Sequence, residues 1–120
     1  MRRDMDLVRD ILKQVADSPR GLTVGLLSTD TKEFQTVCYH VDIMIEAGLI
    51  NGSVSKSYGG QYVSGSIESL TWAGNDFLDA VSDSSVWAHV KEQLAKYGSS
   101  VPFDVVKALA ITAIKMGLGI

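Results

Sequence analysis

At 120 residues, with 46% hydrophobic and 21% charged residues, the chain suits a globular domain with its own core and is too apolar for a disordered tail. Its one cysteine, Cys38, excludes a disulfide-stapled secreted scaffold, and the charged start Met1-Arg2-Arg3-Asp4-Met5-Asp6 carries no apolar signal core, so a cytoplasmic protein is expected. A net charge of −3 excludes a global basic field that would draw the protein onto nucleic acid.

Asp4 to Ala16 reads as the first helix. Met5, Val8, Ile11, Leu12 and Val15 share one face, carboxylates sit at its N-terminus, and Ser18-Pro19-Arg20-Gly21 stops it. Leu22-Thr23-Val24 predicts a short strand. A second helix is expected from near Asp30, capped by Asp30 with Glu33 as its capping-box partner. Its buried stripe would be Phe34, Val37, Val41 and Met44, with Ile45, and Gly48 would end it. Val54-Ser55-Lys56 and Tyr62-Val63-Ser64 flank the turn Ser57-Tyr58-Gly59-Gly60-Gln61, which predicts a hairpin, with a further β segment at Ser66–Ser69.

Thr71 is placed to cap a third helix, Trp72 to Val81, with Phe77, Leu78 and Val81 inward. Ser84 or Ser85 would open a fourth, with Val86, Trp87, Val90 and Leu94 spaced as one apolar face. A linker, Tyr97-Gly98-Ser99-Ser100, leads to a last helix with Pro102 in its first turn, running to about Met116. Asp104, Lys107 and Lys115 interrupt that apolar stretch, so no membrane span is predicted.

This order is the outline of an α+β winged helix with a C-terminal helical extension, divided as 1–82 and 83–120. Specific segments point the same way. Tyr39-His40-Val41 followed by Ala47-Gly48-Leu49-Ile50 resembles the recognition helix and wing entry of arsenic-sensor-type winged-helix repressors. Leu70-Thr71-Trp72-Ala73-Gly74 is similar to the turn by which those repressors leave the wing. Along nearly its whole length, through Arg3-Asp4-Met5-Asp6, Glu46-Ala47-Gly48-Leu49-Ile50, Leu70-Thr71-Trp72 and Val101-Pro102-Phe103, the chain also resembles a bacterial and prophage family catalogued as a domain of unknown function. Two departures from the repressors stand out. Leu22–Thr29 is too short and aperiodic for a full positioning helix, and Cys38 has no thiol partner for metal sensing.

No catalytic constellation is expected, and no cofactor or metal. His40 and His89 are the only imidazoles, and neither stands at ligand spacing from the other or from Cys38. His40, beside the buried stripe, reads as a hydrogen-bonded core residue, His89 as a surface one, and Cys38 as a packing residue. Tyr58-Gly59-Gly60 lacks the ending and context of a phosphate loop.

The candidate DNA- or partner-binding residues are Gln35, Thr36, Tyr39, Asp42 and Ile43 on the second helix, with Lys56 and Tyr58 on the hairpin. Two functions stay open. One is a DNA-binding transcriptional regulator, in which Gln35 reads an adenine edge and Thr36 and Tyr39 hold phosphate. The other is a protein-interaction module of winged-helix shape that binds a host or phage protein. It is suggested by Asp42 and Glu46, and by a stretch (32–76) with only Lys32 and Lys56 against five acidic residues, Glu33, Asp42, Glu46, Glu68 and Asp76. Leu109, Ile111, Ile114 and Leu118 of the apolar last helix are the expected homodimer interface.

Overall fold

The computed structural model describes residues 3–27, 33–97 and 101–117. They form a mixed α+β structure whose chain divides into two compact units, Arg3–Asn75 and Asp76–Ile120. Among the described residues no helix is long and apolar enough to cross a membrane.

The first unit opens with α1 (Met5–Asp17). The Asp4 carboxylate accepts from the amides of Asp6 and Leu7 and so caps it. Leu7, Val8, Ile11, Leu12 and Val15 are buried, with Leu7 in the place expected of the half-buried Met5. β1 (Leu22–Thr23) is followed by a 3-10 turn (Val24–Leu26). α2 (Phe34–Glu46) starts later than its sequence suggests. Its N-cap is Glu33, whose carboxylate accepts from the Gln35 and Thr36 amides; Asp30, the expected cap, lies outside the described residues.

α2 buries Val37, Cys38, His40, Val41 and Met44. Phe34, expected in that stripe, stays 37% exposed because it is the first residue of the helix and lies at the rim of the face. The helix ends as the glycine predicts. Leu49 N–H donates to the Met44 carbonyl and Gly48 N–H to that of Ile45, with Gly48 at φ +75°.

β2 (Ile50–Lys56) and β3 (Tyr62–Leu70) form the hairpin, and β1 pairs antiparallel with the other side of β3, giving the order β1-β3-β2. Its loop closes by Ser57 N–H to the Gln61 carbonyl and Gly60 N–H to the Ser57 carbonyl, with Gly60 at φ +83°. β3 is continuous, where the sequence suggested two segments. Two register shifts place the extra residues on β3, Val63 opposite the Ser55–Lys56 step and Glu68 opposite Asn51–Gly52. They keep Leu70, Ile67, Gly65 and Tyr62 on one face although their spacing is three, two, three. Opposite them on that face stand Ile50, Gly52, Val54 and Lys56, while the other face carries Asn51, Ser53 and Ser55 against Ser69, Ser66 and Ser64.

The hairpin leads straight into α3 (Trp72–Val81), inside which the two units divide. Thr71 N–H donates to the Leu49 carbonyl, and the Thr71 hydroxyl bonds the Gly48 carbonyl while capping the Gly74 amide. The second unit holds the rest of α3 with α4 (Ser84–Tyr97) and α5 (Phe103–Lys115). α4 opens at Ser84, as the sequence suggests, and Asp83 caps it, accepting from the Ser85 and Val86 amides. A carboxylate one residue earlier reaches two amides of the first turn, which a hydroxyl inside that turn does not. Phe77, Leu78, Val81, Val86, Trp87 and Val90 are buried, and the Phe77 and Phe103 rings meet at 4.7 Å between centroids. His89 is half-buried rather than a surface residue.

Candidate functional site

The sequence-selected residues of α2 and the hairpin converge on one that sequence reasoning passed over, Tyr62. Gln35 and Asp42 stand seven positions apart on α2, two helical turns, so both side chains face the hairpin from one side of the helix. The Gln35 amide grips the Tyr62 backbone, its Nε2 donating to the carbonyl and its Oε1 accepting from the N–H, both at 2.8 Å. It thereby stands in for a strand partner at the open side of β3. The Tyr62 hydroxyl donates to Asp42 Oδ2 at 2.8 Å, and Lys56 Nζ approaches the same oxygen at 3.7 Å. Lys56, the cross-strand partner of Tyr62, also lies over its ring, 4.8 Å from the centroid. Burial first, and then the hydrogen bond to the Asp42 carboxylate, push the Tyr62 phenol up to about 12. The signal that could have found Tyr62 was its register, since an aromatic opposite the only cation of a hairpin is a common cross-strand pair.

Thr36 turns to its own helix end. Its hydroxyl donates to Glu33 Oε2 at 2.6 Å, and this bond, with those from the Thr36 and Gln35 amides, holds the Glu33 carboxyl below its usual range. Tyr39 and Ile43 are half-buried, Glu46 is exposed, and Tyr58 stands fully exposed at the hairpin tip.

His40 is fully buried, and its partners dictate its tautomer. The Thr36 carbonyl can only accept, at 2.8 Å from Nδ1, and the Asp4 N–H can only donate, at 2.8 Å from Nε2. The ring is therefore neutral with its proton on Nδ1, and it ties the first turn of α1 to α2. Cys38, two positions before it, is buried, and burial, with the charges of Glu33 and Asp42, pushes its thiol up, away from the thiolate. Among the described residues no group of three or more His, Cys, Asp or Glu side chains is placed to hold a metal ion.

In the second unit, α5 turns Val106, Ala110 and Ala113 inward and leaves Ile111 36% and Ile114 41% exposed. Leu109 is half-buried and, about 200° around the helix from Ile111, does not share a face with it. Leu118 lies outside the described residues.

Comparison with known proteins agrees with the uncharacterised family expected from the sequence; it does not show the resemblance to arsenic-sensor-type repressors. A protein of Haemophilus influenzae, described as uncharacterized, is 30% identical over 122 residues, covering 98% of this chain and 99% of the relative. No solved structure matches with significance. The model of the family described as hypothetical protein (DUF2513) matches residues 2–100. The chain belongs to the DUF2513 family.

Proposed function

We propose that the unit Arg3–Asn75 is a winged-helix-type domain that binds a protein partner through α2 and the hairpin, and that it is a binding module rather than a catalyst. The order helix, short strand, helix, hairpin, helix supports the winged-helix reading, with β2–β3 as the wing and α2 as the helix in the recognition position.

One observation carries the choice of partner, the closed network around Tyr62. A duplex-binding surface needs free cations for phosphate and free amides for base edges. Here Lys56, the one basic residue of the hairpin, is engaged by Asp42, and the Gln35 amide is engaged by the Tyr62 backbone. What α2 and the hairpin tip leave accessible is the half-buried Tyr39 and Ile43 with the exposed Glu46 and Tyr58, an aromatic and apolar set with an acidic residue. Tyrosine-rich surfaces with an apolar centre suit protein contacts. The non-catalytic reading is supported by His40 and Cys38, since both imidazole nitrogens are spent on backbone groups and the thiol is buried.

Titration with random duplex DNA, at low and at physiological salt, tests the reading. The expected dissociation constant at physiological salt is weaker than about 10⁻⁴ M, the weak end of non-specific binding. Tight binding with a steep salt dependence would establish the DNA-binding regulator instead.

A further inference from the structure

β2 is an edge strand, and among the described residues nothing pairs with its outer side. The phase of the ladder tells which backbone groups are left over. Ser57 N–H donates to the Gln61 carbonyl at one end of the hairpin, and Thr71 N–H donates to the Leu49 carbonyl at the other. The Leu49 carbonyl and the Ser57 N–H therefore turn toward the β3 side. Antiparallel partners alternate in this respect, and both irregularities lie on β3, so the N–H and C=O groups of Gly52, Val54 and Lys56 turn away from it. The grip of Gln35 on Tyr62 agrees, because Tyr62, opposite Lys56, also bonds away from its hairpin partner.

Edges of this kind are usually guarded by proline, by a bulge on the edge strand, or by a charge standing over it. β2 has no proline, its bulges fall on β3, and its one charge, Lys56, is drawn to Asp42. The strand is also complementary to itself. Set antiparallel about Ser53, it places Asn51 opposite Ser55 and Ser53 opposite Ser53 on the polar face. On the other face Gly52 meets Val54, a small residue against a branched one, and Ile50 meets Lys56. No like charges oppose each other. We propose that β2 pairs with β2 of a second copy of this chain, so that the sheet continues across a two-fold axis at Ser53. This interface uses the outer edge of β2 and leaves α2, the hairpin tip and α5 aside, so it does not depend on the partner proposed above.

A charge-swap at the dyad tests it, because across the proposed axis residue 53 stands opposite its own copy. Ser53 is exposed, so S53K and S53E should both keep the native circular dichroism. By sedimentation the wild-type chain should dimerise with rising concentration, and each variant alone should dimerise at least about tenfold more weakly, since like charges then stand opposite. An equal mixture of S53K and S53E should recover a dimer. In the wild type, exchange of the Gly52 and Val54 amides should slow as concentration rises. A chain that stays monomeric at millimolar concentration would overturn the proposal. So would a dimer that neither charge weakens, or a mixture that recovers nothing.

Discussion

His40 is a residue whose worth lies wholly in two hydrogen bonds and its own volume. Replacing it with alanine removes the acceptor of the Asp4 amide and the donor to the Thr36 carbonyl, and leaves a cavity between α1 and α2. A loss on the order of 3 kcal/mol is expected in urea unfolding, with the amide of Asp4 losing its protection first. Tyr62 predicts a pH dependence. Its phenol titrates near 10.0 when unfolded and is raised to about 12 in the folded chain. The unfolded state thus loses the proton first, so stability present below pH 10 should decline as pH rises toward 12. Tyr62→Phe should flatten that part of the stability profile relative to the wild type.

Two glycines show how elements are joined, for different reasons. Gly48 ends α2 with φ +75° and open space around it, so Gly48→Ala should cost only about 1 kcal/mol for the left-handed backbone. Gly74, in the first turn of α3, is constrained by space instead, because a Cβ there would stand 2.0 Å from the Leu49 carbonyl oxygen. The oxygen is backbone, held by the Thr71 amide, and cannot swing aside. Gly74→Ala should therefore cost more than Gly48→Ala, at or above the upper end of the roughly 1–3 kcal/mol typical of overpacking. Thermal unfolding of the two variants side by side checks the order. The same contact explains physically why Leu70-Thr71-Trp72-Ala73-Gly74 reads as a recognisable turn: the threonine caps, and the glycine lets the helix start against the strand.

At the scale of the whole chain, α5 raises the question of what its larger side chains are for. It buries Val106 and two alanines, while Ile111 and Ile114 remain more than a third exposed. The double change Ile111→Glu, Ile114→Glu should accordingly leave the chain folded, with each substitution within about 0.5 kcal/mol, as for other surface positions. Ala113→Glu, which buries a charge, should unfold the second unit. Circular dichroism separates the two. Sedimentation of the double variant then reports directly on the α5 interface expected from the sequence: a loss of dimer that S53K does not reproduce would assign association to this helix.

Much of this protein was legible from residue order alone. Periodicity placed α1, α3 and the burial of Val86, Trp87 and Val90, because an apolar stripe must face inward wherever a helix packs. Gly48 and Thr71 marked helix ends through purely local chemistry. What residue order left open required contacts between distant positions. The start of α2 was misplaced because Asp30 and Glu33 are both competent caps. The continuity of β3 was hidden because two bulges break the period-two pattern that identifies a strand. Above all, Gln35, Asp42 and Lys56 look like free recognition groups on a helix and a hairpin. Only tertiary structure brings Tyr62 between them, 20 and 27 residues in sequence from the two helical partners, and turns their hydrogen-bonding capacity inward. The types of the residues were set by the sequence; whether they remained available to a partner was decided by which neighbours folding supplied.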